Sequence, residues 1–217
     1  MSTRELPLVQ TAGMRSLDWR RNARRARLLS WVSLVWMTIE GAAGVFSGIV
    51  AGSIALQAFG ISSAVEGLAS VIVIWRFTGS RTLSETSERR AQRLVAVSFW
   101  VLVPYVVAEA VYKLVSAATA ETSYLGIGVT VSSLALMPLL GRMKRRLGAT
   151  LGSGATAGEG TQNILCAYLA AAVLLGLLGN TLFGLWWLDP VAALAVAALA
   201  LREGLESWRG EGCCEQC

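Results

Sequence analysis

Six apolar segments, each long enough to cross a lipid bilayer, make up most of this 217-residue chain. A membrane-spanning helix needs about 20 mostly apolar residues, because the hydrocarbon core is about 30 Å thick. The segments lie at residues 29–50, 54–77, 94–117, 123–141, 162–182 and 185–202. Together with the 54% content of hydrophobic residues, they predict an all-α membrane protein whose six transmembrane helices form one bundle at residues 29–209. A basic segment (1–28) precedes this domain, and a cysteine-rich tail (210–217) follows it.

The positions of the basic residues predict how the helices are oriented. They cluster before the first segment, between the second and third, between the fourth and fifth, and after the sixth. These clusters comprise Arg4, Arg15, Arg20, Arg21, Arg24, Arg25, Arg27, Arg76, Arg81, Arg89, Arg90, Arg93, Arg142, Lys144, Arg145, Arg146, Arg202 and Arg209. Only Lys113 falls on the opposite side. Because Lys and Arg concentrate in cytoplasmic loops, we expect a multi-pass protein of the inner or plasma membrane with both termini in the cytoplasm.

The net charge of +5 does not by itself indicate a nucleic-acid partner. The basic clusters lie at the ends of the apolar segments, and the sequence contains no nucleic-acid-binding module. We therefore expect the lipid bilayer, and no nucleic acid, as the partner of these charges.

Polar side chains interrupt two of the apolar segments with matching spacing. Glu66 lies near the middle of the second segment with Ser62 four residues earlier, and Cys166 lies in the fifth with Gln162 four residues earlier. Residues four apart share one face of a helix. An ionisable residue at mid-membrane costs about 2.5–3.5 kcal/mol on insertion scales, so it usually faces a polar interior. This pattern predicts a divalent-metal site between the two helices, with all four side chains as ligands.

Two structural alternatives remain open for this pair of segments. Glu66 would then be a buried structural acid with Ser62 bonded to the backbone, and Cys166 would be a small apolar filler.

Further polar residues are predicted to line the path of an ion. Glu40 interrupts the first segment, while Glu159 and Asn163 lie at the cytoplasmic start of the fifth. Glu40 is equally compatible with a hydrogen-bonded structural role in the bundle. Glu109 and Lys113 are four residues apart, in the order that favours an ion pair, and we expect them to pair near the outer end of the third segment.

The glycine-rich stretch at residues 148–160 predicts a flexible linker between the fourth and fifth segments. The tail carries Cys213, Cys214 and Cys217. Three clustered thiols can bind soft or borderline metals, so the tail is either a metal-capture device or an incidental extension. The sequence has no histidine, hence no HExxH motif, and no GxSxG motif, so it does not predict an enzyme.

Two stretches of the chain resemble the cation diffusion facilitator family. Residues 51–70, AGSIALQAFGISSAVEGLAS, are similar to its second span. The run GTQNILCAYL followed by WWLDPVAALAVAALALREGLESWRG is similar to its fifth and sixth spans, with Trp-Leu-Asp-Pro-x-Ala-Ala-Leu as the most specific piece. The likeness covers residues 29–209 and points to a short branch that lacks the cytoplasmic C-terminal domain. It implies a homodimer that exports zinc or a related divalent cation in exchange for protons, the metal being cargo rather than a bound cofactor.

At the positions of the family's ligands, this chain departs from the pattern. Ser62 stands at the place of the first acidic ligand and Glu66 at that of the second, while Gln162 and Cys166 replace the usual histidine and aspartate. A sulfur ligand shifts preference toward softer ions, and the lack of histidine removes a group that titrates near neutral pH. The alternative is a membrane protein that binds metal as a sensor or assembly subunit without transporting it.

Overall fold

The computed structural model describes residues 6–50, 54–116, 124–183 and 185–209. Six α-helices and one short 3-10 helix account for nearly all of this part of the chain. The α-helices are α1 (Leu6–Val50), α2 (Ile54–Arg76), α3 (Glu85–Ser116), α4 (Tyr124–Leu151), α5 (Gly154–Phe183) and α6 (Leu188–Arg209), and the 3-10 helix is Gly79–Leu83. The expectation of an all-helical fold with six long helices is confirmed within these ranges.

Three of the described helices are long and apolar enough to cross a membrane. The qualifying stretches are Leu17–Ser47 in α1, Phe59–Arg76 in α2 and Glu85–Ser116 in α3. These helices indicate a multi-pass membrane protein.

In its apolar part, helix α1 carries several polar side chains inward and several large apolar side chains outward. Ser30, Ser33 and Glu40 are fully buried, whereas Trp31 and Val35 are 51% and 54% exposed. A surface helix of a soluble protein shows the opposite arrangement. The outer face of α1 therefore suits lipid, and its inner face supplies the bundle with hydrogen-bonding groups.

Glycines allow two pairs of helices to approach closely. A Cβ atom at Gly60 of α2 would lie 2.6 Å from the Gly41 carbonyl oxygen of α1, and one at Gly160 of α5 would lie 2.8 Å from the Gly141 carbonyl oxygen of α4. Small residues at such crossings let the backbones pack together directly. We call α1–α2 and α4–α5 the two glycine-packed pairs.

The prediction of a flexible linker at residues 148–160 is wrong. Helix α4 continues to Leu151 and α5 begins at Gly154, so only two residues connect the helices. Gly152 (φ +62°) makes the turn. A Cβ atom at Gly148 would lie 2.7 Å from the backbone nitrogen of Ala157. The other glycines of this stretch therefore permit close helix packing instead of making the chain flexible.

Glu88 of α3 connects three helix ends at the side expected to be cytoplasmic. Its Oε2 accepts a hydrogen bond from Nε of Arg76 at 2.7 Å. Its Oε1 accepts from Oγ of Ser153 at 2.9 Å and from the backbone nitrogen of Ala155 at 3.1 Å. A carboxylate is favourable at a helix N-terminus, so Glu88 caps α5 while pairing with the last residue of α2.

The expected ion pair at the other end of α3 is confirmed. Lys113 Nζ lies 2.8 Å from Oε1 of Glu109.

Candidate metal centre

Three helices bring two carboxyl groups and a thiol together inside the bundle. Glu40 comes from α1, Glu66 from α2 and Cys166 from α5, and each side chain is at least 98% buried. The Cys166 thiol donates a long hydrogen bond to Oε1 of Glu40, with 4.0 Å between sulfur and oxygen. The Glu66 carboxyl group lies beside the same thiol and within electrostatic range of Glu40.

Several oxygen atoms of this cluster are buried without a hydrogen bond to any described residue. They are Oε2 of Glu40 and both carboxyl oxygens of Glu66, and Oε1 of Gln162, one helical turn from Cys166 on α5, is buried without a partner as well. Buried polar atoms almost always have partners, and an unpartnered one calls for a specific explanation. A buried carboxyl group has to be neutralised, either by a proton or by a cation. The cluster therefore has the donor chemistry of a cation site, since carboxylate and thiolate are common metal ligands.

The three side chains are neighbours rather than a preformed coordination shell. Within the described ranges, no group of three or more His, Cys, Asp or Glu side chains is already arranged to hold a metal ion. Coordination would require the carboxyl groups to turn toward the thiol.

The remaining two predicted ligands, each one helical turn from Glu66 or Cys166, are also buried but are engaged differently. Ser62 donates a hydrogen bond from Oγ to the Phe59 carbonyl oxygen at 2.8 Å. Gln162 donates from Nε2 to Oγ of Ser98 at 2.8 Å, which leaves its own Oε1 available. Their role as ligands stays a prediction. The tail residues Cys213, Cys214 and Cys217 lie outside the described residues.

A second buried polar cluster surrounds Glu159. Lys144 Nζ lies 2.6 Å from Glu159 Oε1 and donates to Oγ of Ser33 at 2.5 Å. Ser30 donates from Oγ to Glu159 Oε2 at 2.6 Å, and Asn163 donates from Nδ2 to Oγ of Ser33 at 2.9 Å. All five side chains are buried. The charges and their hydrogen-bonding neighbours thus form a closed network, which we call the Lys144 network.

The two clusters are stacked along the same helices. Ser33 and Glu40 are seven residues apart on α1, and so are Glu159 and Cys166 on α5. Seven residues correspond to about two helical turns, or roughly 10 Å. The Lys144 network therefore lies about two turns from the carboxyl–thiol cluster, on the side predicted to be cytoplasmic.

Sequence reasoning had counted Lys144 only as a loop charge that reports topology. The structure instead buries it completely. The sequence does contain a signal for this burial. Gly141 precedes Lys144 by three residues and Gly148 follows it by four, so all three lie on the same, close-packed face of α4.

No protein-family model matches this chain, and no curated protein matches it either. The likeness to cation diffusion facilitators therefore rests on the sequence stretches quoted above.

Proposed function

We propose that this protein is a divalent metal cation efflux transporter of the inner or plasma membrane, exporting zinc or a related ion in exchange for protons. The observation that carries the proposal is that the Glu66 carboxyl group is buried without a hydrogen-bond partner among the described residues. This carboxyl group is 2% exposed, neither of its oxygens is hydrogen-bonded to a described residue, and it lies beside the Cys166 thiol of another helix. Intramembrane ionisable residues of this kind mark ion pathways in transport proteins.

In this proposal all six helices cross the bilayer. Support for including α4, α5 and α6 comes from the apolar side chains that they expose. Leu139, Leu175 and Leu199, one on each of these helices, are 56%, 58% and 47% exposed. An even number of spans also keeps all basic clusters on one side, as the charge distribution requires.

The proposed mechanism follows from the protonation states of the ligands. Metal binding requires carboxylate and thiolate, so a cation that binds Glu66 and Cys166 displaces their protons. When the bundle opens to the outside, protons compete for the same two groups and release the metal.

The path to the site in this mechanism starts at the cytoplasmic end of the bundle. Asn163 and Glu159 lie on α5 between that end and Cys166. Both are engaged in the Lys144 network, so the proposed path requires this network to open. The tail thiols of Cys213, Cys214 and Cys217 would collect metal ahead of this path.

One observation favours a second candidate, a metal-binding sensor or assembly subunit that does not transport. Ser62, at the position of the first acidic ligand, has its hydroxyl committed to the Phe59 carbonyl oxygen. A site with fewer ligands binds a cation more weakly, which suits a sensor that responds to metal excess.

Proton flux in proteoliposomes tests the proposal. Purified protein would be challenged with zinc, cadmium, cobalt, manganese or iron(II), with a pH-sensitive dye inside the vesicles. Wild-type protein should show metal-dependent proton movement, and Glu66→Gln should abolish it without reducing the yield of folded protein. Glu206→Gln is the matched control, because it makes the same chemical change at a partly exposed ion pair with Arg202.

Full activity of Glu66→Gln would refute the site. Metal binding by the wild type without any flux would support the sensor instead.

A further inference from the structure

The proposed transport site is short of strong ligands. Structural and catalytic zinc sites use four ligands, or three protein ligands and a water. Glu66 and Cys166 provide only two strong ligands, and the hydroxyl of Ser62 is bonded to the Phe59 carbonyl oxygen. Gln162 adds one neutral oxygen, since its amide nitrogen is committed to Ser98. A further strong ligand would have to come from outside α2 and α5.

Glu40 of α1 is placed where such a ligand is needed. Its side chain is fully buried, and its Oε1 is 4.0 Å from the Cys166 sulfur. Its other oxygen has no hydrogen-bond partner in the described part of the chain. The polar groups of Ser133, Trp36 and Ser63 lie beside the Glu40 carboxyl group, together with the Cys166 thiol.

Lys144, on the predicted cytoplasmic side of the carboxyl–thiol cluster, does not neutralise Glu40. Lys144 is held by Glu159 and Ser33 in the Lys144 network, roughly two helical turns away. Each carboxyl group lies beside the Cys166 thiol. Each also has at least one oxygen without a hydrogen-bond partner in the described part of the chain.

We infer that Glu40 is a third ligand of the transported cation and supplies the carboxylate that this chain lacks at Ser62. The inference rests on the proposed function. It makes the site a two-carboxylate, one-thiolate centre contributed by α1, α2 and α5, with the Gln162 carbonyl oxygen as the fourth donor. A mixed oxygen and sulfur set favours zinc and cadmium over hard ions such as magnesium and manganese.

Cadmium titration of the purified full-length chain tests this assignment. The background variant carries Cys213→Ser, Cys214→Ser and Cys217→Ser, so that Cys166 is the only cysteine and the ultraviolet sulfur-to-cadmium absorption reports on it alone. In this background, Glu40→Gln should weaken cadmium affinity at least about tenfold, as should Glu66→Gln, whereas Glu206→Gln should leave it unchanged.

The outcomes separate this inference from the proposed function. If Glu66→Gln weakens binding and Glu40→Gln does not, Glu40 is not a ligand and the transport site stands on Glu66 and Cys166. If neither substitution weakens binding, the inference and the proposed site both fail.

Glu40→Cys provides a second test that does not depend on how well the glutamine variant folds. Under reducing conditions it should add a second sulfur ligand, so the cadmium absorption should about double relative to the background variant. An unchanged absorption at saturating cadmium would overturn the assignment of Glu40.

Discussion

Lys144 and Glu159 form an ion pair of 2.6 Å between Nζ and Oε1, with at most 1% of either side chain exposed. Ser30 and Ser33 complete the hydrogen bonds of this pair. The sequence by itself predicts Glu159 as part of an ion path and Lys144 as a basic residue of a cytoplasmic loop. Their burial as a pair shows that the bundle is closed by polar contacts at this level of the structure.

Breaking this pair from one side should be strongly destabilising. Lys144→Met leaves Glu159 buried and uncompensated, which typically costs about 3–5 kcal/mol. The double variant Lys144→Met with Glu159→Gln should recover much of that loss, because no buried charge remains. Unfolding of the purified protein in detergent measures both, and a double variant no more stable than the single one would contradict this account.

Close packing of α4 against α5 should make Gly141 intolerant of a larger residue. A Cβ atom there would lie 2.6 Å from Cγ1 of Ile164 and 2.7 Å from the Gly160 carbonyl oxygen. We expect Gly141→Ala to cost about 1–3 kcal/mol through overpacking. Gly128→Ala, on the same helix with open space around the glycine, should be neutral or stabilising by up to about 1 kcal/mol. Thermal unfolding of the two variants measures this difference in stability. Equal changes in stability would rule out the packing explanation.

Removal of the Glu88 carboxylate should loosen three helix ends together. Glu88→Ala leaves the buried Arg76 without its ion-pair partner and removes the acceptor of the Ala155 backbone N–H at the start of α5, so we expect a loss of roughly 3 kcal/mol. Glu85→Ala, at an exposed position in the same first turn, should change stability by less than about 0.5 kcal/mol. Denaturant titration compares them, and a stable Glu88→Ala variant would show that the connection is dispensable.

Ser62 should contribute little to metal affinity despite its position one turn from Glu66. Because its hydroxyl is bonded to the Phe59 carbonyl oxygen, Ser62→Ala should bind cadmium within about twofold of wild type, a difference below 0.5 kcal/mol. Ser62→Asp should instead strengthen binding by adding a carboxylate to the same helix face. A large loss in Ser62→Ala would mean that the hydroxyl rotates to the metal.

The sequence was most informative where one helix face could be considered by itself. The four-residue spacings of Ser62 with Glu66 and of Gln162 with Cys166 selected two helix faces, and the structure brings Glu66 and Cys166 next to each other. The Glu109–Lys113 pair was likewise predictable, because both partners lie on one helix.

Contacts that depend on how separate helices pack could not be predicted from residue spacing in the sequence. The proximity of Glu40 to Cys166 depends on α2 and α4, which pack against both α1 and α5, and no local spacing in the sequence corresponds to this arrangement. The prediction of a flexible linker at residues 148–160 was wrong because glycine occurs both in flexible linkers and at close helix crossings. Only the partner helix, which brings Ala157 against Gly148, distinguishes the two.

The glycine-packed pairs divide the proposed site between two structural blocks. Gly41 and Gly60 let α1 and α2 pack closely, so Glu40 and Glu66 belong to one block. Gly141 and Gly160 do the same for α4 and α5, so Cys166 belongs to the other block. A cation held by both carboxylates and the thiol would straddle the seam between the blocks. Tilting one block against the other would then pull its ligands apart at once, and the cargo would be released without any helix having to bend.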